Sequence, residues 1–201
     1  MRRSVSSLME STHRKSRQYI EIIVVDNGDS FEDSKYLLSL AHDGSISCYI
    51  RNRHNMSFGY ARNQAMRLSS GRFIAICDND ILYEDGWLER CIMFLDKNKN
   101  RGNYFATPLP ADPMNNHKKR WGLEIDGWRM NTRAGSNCFV GRREDFQKVG
   151  HFSQHRIAGS KWADRYVRMG YMMAVMPEPM AKDEGLRAGY NFKLPLQNLV
   201  L

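Results

Sequence analysis

The stretch Asn55–Asp80, NMSFGYARNQAMRLSSGRFIAICDND, decides the fold that the sequence predicts. Ser57 is suited to cap the helix that follows it, and Gly71 is expected to end that helix in a left-handed conformation. The continuous apolar run Phe73–Cys77 is typical of a strand buried on both faces. Because the strand leads directly into Asp78–Asp80, we expect an acidic turn at the end of a buried strand.

The segments on either side continue this alternation of helix and strand. We predict helices at residues 4–17, 30–40 and 85–95, and strands at residues 19–25 and 47–50. The alternation predicts an α/β fold, with a mainly parallel sheet and helices on both faces. Ligands bind such sheets at the carboxyl ends of the strands. Asp26 and Asp78 both fall at predicted strand ends.

The charge of the chain narrows the classes of partner. Its 201 residues carry a net charge of +8, which suits a nucleotide diphosphate, an anionic membrane surface or a nucleic acid. The basic residues are dispersed and form no single stripe interleaved with aromatic residues, so we do not expect nucleic acid as a partner. No apolar run approaches the roughly 20 residues needed to span a bilayer.

The cysteines indicate the compartment. The chain has four cysteines, which are widely spaced and include no Cys-x-x-Cys motif. This pattern argues against a zinc site and against a disulfide framework. We therefore expect reduced thiols and a cytoplasmic protein, with Cys77 in the core.

The Asp78-Asn79-Asp80 turn is a candidate metal site. Two carboxylates one residue apart can share a hard divalent cation such as Mg²⁺ or Mn²⁺. Such a cation neutralises a diphosphate as it leaves. Short Asp-x-Asp strings are also common by chance, and the alternative interpretation is a polar turn after a strand.

The order of Ala61-Arg62-Asn63, Gly71, a buried strand and the Asp-x-Asp turn resembles the inverting glycosyltransferases of family 2. The resemblance covers roughly residues 8–180. It implies the type A glycosyltransferase fold, which is the nucleotide-diphospho-sugar transferase fold. It also implies transfer of a sugar from a nucleotide-diphosphate sugar to a hydroxyl group of a glycan, lipid or protein acceptor. We expect one domain over residues 1–201, with a nucleotide-binding half (about 1–100) and an acceptor half (about 101–201).

The resemblance also implies roles for individual residues. Asp26 and Arg62 would contact the nucleobase. Asp78 would lie near the ribose or phosphate and share the divalent metal, Mn²⁺ or Mg²⁺, that Asp80 holds. Asp183 falls where the family often has a histidine that joins the metal or the phosphate.

The family supplies its general base from a Glu-Asp pair before a helix that ends in Gly-Tyr, and this pair is absent before Gly170-Tyr171. Asp164 is the nearest acid and is our candidate catalytic residue, with Asp126, Glu144 and Asp145 as further candidates. The alternative for Asp164 is a first-turn aspartate that interacts with a helix N-terminus. Aromatic side chains that could form an acceptor platform, although core packing is the favoured interpretation for each, are Trp121, Trp128 and Trp162.

The main departure from the family is at the start of the chain. The family opens with a strand, whereas this chain begins with the predicted helix. We expect either a truncated start or another segment in the place of that strand. A missing strand would favour a catalytically impaired relative that only binds a nucleotide or a partner. A nucleotidyltransferase would need a Gly-rich phosphate loop near the N-terminus, which the sequence lacks.

Overall fold

Helices and strands alternate along the chain, as the sequence predicts. The computed structural model describes residues 1–12, 17–28, 30–108, 123–132, 137–154, 158–184 and 198–200. The α-helices in these ranges are α1 (Arg2–Ser11), α2 (Phe31–His42), α3 (Phe58–Leu68), α4 (Trp87–Lys97), α5 (Arg143–Val149) and α6 (Ala158–Arg168). The strands are β1 (Ile23–Asp26), β2 (Cys48–Arg51), β3 (Phe73–Asp78), β4 (Ile81–Tyr83), β5 (Asn103–Thr107), β6 (Glu124–Ile125), β7 (Trp128–Asn131), β8 (Cys138–Arg142), β9 (Tyr171–Val175), β10 (Ala181–Asp183) and β11 (Asn198–Val200).

The main sheet has the strand order β2-β1-β11-β3-β8-β5-β9-β7-β6, and β4 pairs with β10 in a separate ribbon. Strands β1, β2, β3, β5 and β9 run in one direction, and β11, β8 and β7 run against them. The predicted α/β class with a mainly parallel sheet is therefore confirmed. The sequence did not predict the antiparallel strands on either side of β3.

Helices cover both faces of the sheet, because alternate residues of the buried strands point to opposite sides. In β3, Ala75 and Cys77 pack into one apolar cluster with α1, α2 and α4. Ile74 and Ile76 pack into the other cluster, with α3, α5 and α6. The continuous apolar run that predicted a doubly buried strand thus describes β3 correctly, and Cys77 is in the core as expected. No helix in the described ranges is long and apolar enough to cross a membrane.

Helix α1 packs against the acidic turn through serine side chains. Ser4 Oγ donates to the carbonyl of Asp78, at 3.4 Å. Ser7 Oγ accepts a 2.6 Å hydrogen bond from the backbone N–H of Tyr83. Because serine can both donate and accept, these hydroxyl groups can be buried beside the apolar side chains of α1. The helix ends at Ser11, earlier than the predicted span of residues 4–17.

Strand β11 lies between β1 and β3 and is antiparallel to both. Leu199 is opposite Val24 on one side and Cys77 on the other. β11 therefore fills the position between these two parallel strands of the sheet. Without β11, the backbones of β1 and β3 would stand two strand spacings apart, or roughly 9–10 Å.

One expectation about α3 is wrong. Ser57 caps this helix as predicted, with its Oγ accepting from the N–H of Tyr60 at 3.4 Å. The helix ends at Leu68, and the next residue, Ser69, has an extended backbone and an N–H that bonds to the carbonyl of Ala65. Gly71 is not in a left-handed conformation. The chain leaves α3 in an extended conformation, so no left-handed residue is needed to end it.

The position of β11 gives a first prediction. The N–H of Asp78 donates to the carbonyl of Asn137, on the β8 side of β3. Because backbone groups of successive residues point to opposite sides of a strand, the N–H and C=O of Cys77 point to β11. Cys77 and its partner Leu199 are therefore a hydrogen-bonded pair. Leu199→Pro removes this donor from a central strand. We expect a loss of about 2 kcal/mol or more in the free energy of unfolding, or roughly 4–8 °C in melting temperature. Leu199→Val keeps the N–H and is the control; equal melting temperatures for the two variants would contradict the pairing.

Candidate active site

The candidate site lies where three strands end at the same edge of the sheet. Asp26, Arg51 and Asp78 are the last residues of β1, β2 and β3, which run in one direction. The carboxyl ends of parallel strands are the usual ligand-binding edge of such a sheet. The tertiary structure therefore brings together the two acidic strand ends that the sequence singled out.

A buried ion pair joins α3 to the end of β3. Arg62 Nη2 lies 2.7 Å from Asp78 Oδ1, and both side chains are buried. The Arg62 guanidinium lies 4.9 Å from the ring centre of Phe58 and 5.2 Å from that of Phe152. Asn63 fixes Phe152 by two hydrogen bonds of 2.9 Å to its backbone N–H and C=O. Burial raises the pKa of Asp78, and the positive charge of Arg62 opposes this rise.

Two further aspartates lie beside this ion pair. Pairing of β4 with β10 places Asp183 opposite Ile81, and the N–H of Glu184 donates to the Asp80 carbonyl at 2.9 Å. Burial, followed by the charges of Asp78 and Asp183, raises the pKa of Asp80 to about 6. We call Asp78, Asp80 and Asp183 the acidic cluster. Negative charges gathered without a cation destabilise one another.

The acidic cluster fits a hard divalent cation. Asp80 Oδ1 is buried and has no hydrogen-bond partner among the described residues. A buried oxygen of this kind is costly unless a cation or another ligand satisfies it. Within those same residues, no three His, Cys, Asp or Glu side chains already stand in a ligand arrangement. Asp80 and Asp183 are the carboxylates suited to hold the ion, since Asp78 Oδ1 accepts from Arg62.

Asn137 orients the acidic cluster, and the sequence did not single it out as a site residue. Its Nδ2 donates to Asp183 Oδ2 at 3.0 Å, and its carbonyl accepts from the N–H of Asp78 at 2.9 Å. It lies directly before β8 and faces the end of β3. No local pattern predicts this role, because the antiparallel pairing of β3 and β8 creates it. That pairing joins segments about 60 residues apart in the chain.

Asp26 is fully buried and bonded to protein donors. Its Oδ2 accepts from Ser34 Oγ at 2.5 Å and from the Tyr49 hydroxyl at 2.8 Å, and its Oδ1 accepts from the N–H of Gly28 at 3.2 Å. Arg51 Nε lies 3.6 Å from Oδ2. Burial and the hydrogen bond to Asp26 raise the pKa of Tyr49 to about 12. Because Asp26 is fully buried and bonded to three protein donors, its direct contact with a nucleobase would require an exchange of partners.

Asp164 lies in the second turn of α6 and is half-buried. The alternative of a first-turn aspartate at the helix N-terminus is therefore wrong, because α6 begins at Ala158. This helix packs against β9, α3 and α5. The structure leaves the role of Asp164 as general base a prediction.

Of the three further candidate acids, Asp126 and Asp145 are held in structural contacts. Asp126 lies 3.2 Å from Lys97 Nζ and 3.3 Å from Arg101 Nη1. Asp145 is buried and accepts from the hydroxyl of Tyr171 at 2.9 Å. Glu144 is exposed on α5.

The proposed aromatic platform is wrong for two of its three members. Trp128 is buried and stacks on Phe94, with ring centres 4.6 Å apart. Trp162 is buried in a cluster of aromatic rings that includes Phe105. Both rings therefore contribute to the core. Trp121 lies outside the described residues.

Known proteins resemble this chain in sequence. Glycosyltransferase AglE of Haloferax volcanii is 26% identical over 183 residues, covering 86% of this chain and 59% of AglE. The Escherichia coli protein WfaP, a UDP-Glc:alpha-D-GlcNAc-diphosphoundecaprenol beta-1,3-glucosyltransferase, is 28% identical over 105 residues, covering 51% of this chain and 41% of WfaP. The chain thus spans about half the length of these relatives.

A solved structure and the family comparison agree with this resemblance. The mannosyltransferase PcManGT of Pyrobaculum calidifontis, in complex with GDP-Man and Mn²⁺, superposes with a TM-score of 0.73 at 18% identity, over 93% of this chain and 53% of PcManGT. This likeness confirms the expected type A glycosyltransferase fold. The sequence matches the family described as Glycosyl transferase family 2 over residues 1–167. Because that match covers most of the chain, the protein belongs to glycosyltransferase family 2.

Proposed function

We propose that this protein transfers a sugar from a nucleotide-diphosphate sugar to an acceptor hydroxyl, with inversion at the anomeric carbon and with a divalent metal. The observation that carries the proposal is the acidic cluster at the end of β3. Its buried Asp80 Oδ1 lacks a hydrogen-bond partner among the described residues, and burial together with the charges of Asp78 and Asp183 raises the pKa of Asp80. A bound Mn²⁺ or Mg²⁺ supplies positive charge that stabilises the departing diphosphate.

The protein side chains divide the remaining work. Asp80 and Asp183 hold the cation, and Arg62 and Asn137 hold Asp78 and Asp183 in position. The ends of β1 and β2 around Asp26 form the nucleobase side of the pocket. That PcManGT was solved with GDP-Man and Mn²⁺ supports a nucleotide-sugar donor and a divalent metal here.

The acceptor half supplies the proton acceptor. Asp164 takes the proton from the acceptor hydroxyl while the hydroxyl oxygen bonds to the anomeric carbon of the sugar. The bond between that carbon and the diphosphate breaks in the same step. We place a glycan, lipid or protein acceptor on this side. WfaP is named for a diphosphoundecaprenol acceptor, which supports a lipid-linked acceptor and peripheral contact with an anionic membrane.

A second candidate function is binding of a nucleotide or a partner without transfer. The bonding of Asp26 to three protein donors favours it, because this carboxylate is not held ready for a base. The absence of the family's Glu-Asp pair also favours it. Nucleotide binding without sugar transfer to any acceptor tested, or to water, would establish this second function.

The metal assignment predicts a linked thermal shift. UDP or GDP with Mn²⁺ should raise the melting temperature, since a ligand at 100 times its dissociation constant stabilises by about 2.7 kcal/mol. Asp80→Ala should remove most of the Mn²⁺-dependent rise in melting temperature. Asp126→Ala, which alters an aspartate held by Lys97 and Arg101, is the control. If Asp80→Ala binds the nucleotide with Mn²⁺ as tightly as wild type, the metal assignment is wrong.

The raised pKa of Asp80 predicts a pH dependence in metal-free buffer. Its carboxyl group has a pKa of about 6 in the folded protein and an ordinary value of 3.8, so folding favours the protonated form. This favourable term is present below pH 3.8 and is lost as the pH rises through 6. Because Asp80 is partly exposed, we expect Asp80→Asn to stabilise the metal-free protein at pH 7.5 by only about 1–2 kcal/mol.

The comparison of melting temperatures at two pH values tests this directly. At pH 4 the advantage of Asp80→Asn should be much smaller, since most of the wild-type carboxyl is then neutral in the folded state. Mn²⁺ should stabilise wild type and have little effect on the variant. An advantage that is the same at both pH values would show that the carboxylate charge is not its cause.

The assignment of Asp164 predicts a kinetic split. Asp164→Asn should lower turnover by about 10²–10⁴-fold and leave donor affinity nearly unchanged, because a general base acts in the transition state. Glu144→Gln replaces an exposed acid on α5 and should retain wild-type turnover. Normal turnover in Asp164→Asn, with or without a lower melting temperature, would remove Asp164 from the mechanism.

A further inference from the structure

A set of carboxamide side chains lies beside the candidate site at the ends of β1 and β2. Asn27 is fully buried directly after β1. Its Oδ1 accepts from Asn52 Nδ2 and from the N–H of Met56, each at 3.0 Å. Its Nδ2 donates to Asn55 Oδ1 at 3.1 Å. Asn55 Oδ1 also accepts from the N–H of Ser57 at 3.0 Å. Asn27 thus bonds to three residues of the segment between β2 and α3.

The same set continues onto α3. Asn52 and Gln64 exchange two hydrogen bonds, of 2.8 Å and 3.1 Å. Gln64 lies two residues after Arg62, whose guanidinium bonds to Asp78 at the end of β3. We call Asn27, Asn52, Asn55 and Gln64 the carboxamide network. It links the end of β1, through α3, to the end of β3.

The segment that the network holds is closely packed and strained. A Cβ atom on Gly28 would lie 2.9 Å from the backbone nitrogen of Asn55, and the φ angle of Gly28 is +94°. Ser57, at the start of α3, has a φ angle of +77°, which is uncommon for a residue other than glycine. Such conformations persist only when surrounding contacts impose them. The carboxamide network supplies those contacts.

Residues 53–56 are exposed at the ligand-binding edge, although the carboxamide network holds their backbone through the bond from the Met56 N–H to Asn27. An exposed segment with a fixed backbone is suited to recognition, because it loses little conformational entropy when a ligand binds. Removal of the Asn27 side chain would leave the partly buried N–H of Met56 without this acceptor and free the segment to adopt other conformations.

We propose that the carboxamide network positions residues 53–56 as a wall of the nucleotide pocket, with Asn27 as the positioning residue. This inference rests on the proposed function, because it concerns the same donor site. Asn27 acts through the segment that it holds and does not itself contact the nucleotide. Its loss should therefore weaken binding of UDP and GDP alike.

The test measures binding of UDP and of GDP, each with Mn²⁺, by calorimetry. For whichever nucleotide wild type binds, we expect Asn27→Ala and Gln64→Ala each to reduce the binding affinity by about tenfold. The double variant should lose less than the product of the two factors, because both side chains serve one network. Asn98→Ala is the matched control, since Asn98 is equally buried and bonds to Phe94 and Asp126 at the end of α4. It should lower the melting temperature without weakening binding.

Hydrogen exchange of the unliganded protein tests the positioning without any nucleotide. The amide of Met56 should exchange faster in Asn27→Ala and at the wild-type rate in Asn98→Ala. Unchanged Met56 exchange, or equal weakening of binding in both variants, would overturn the proposal. If wild type binds neither UDP nor GDP, the proposed function fails and the pocket wall with it. Faster Met56 exchange would then show that the proposed function, and not the positioning by Asn27, was at fault.

Discussion

The buried ion pair between Arg62 and Asp78 is the interaction on which the site depends. Two charges removed from water are costly unless their geometry is good and their remaining groups are satisfied. Here the guanidinium contacts the rings of Phe58 and Phe152, and the carboxylate ends a strand buried on both faces. Removing either charge would leave the other buried without compensation. The pair therefore fixes α3 against the end of β3 and sets where the acidic turn begins.

Around this pair, the site is built from parts that are distant in the chain. The serine face of α1 holds the segment between Asp78 and Tyr83. The short ribbon of β4 and β10 brings Asp183 to Asp80, and Asn137 reaches Asp183 from the start of β8. Each contact uses a backbone or short polar group whose position is set by a strand or helix. An acidic cluster supported in this way keeps its carboxylates close despite their mutual repulsion, which is the condition for binding a cation.

Strand β11 decides whether the two acidic strand ends share a site. Although it is short, it pairs with β1 on one side and with β3 on the other. It therefore connects β1 and β2 to the rest of the sheet, and α3 packs against β1 and β11. The carboxamide network adds a second connection at the ligand edge, from Asn27 to Gln64. The nucleotide and metal sides of the proposed pocket are therefore held in register by a strand from the far end of the chain and by buried amides.

The sequence by itself determined the α/β alternation, the doubly buried strand before the acidic turn, the Ser57 cap and the family resemblance. These are local signals, set by periodicity and by residue spacing within about 30 residues. It also pointed to Asp183. Only the tertiary structure decided that β11 lies between β1 and β3, that Asn137 supports Asp183, and that Trp128 and Trp162 belong to the core. Those outcomes depend on which distant segments pair and which faces become buried. Local patterns of residues in the sequence do not specify either of these.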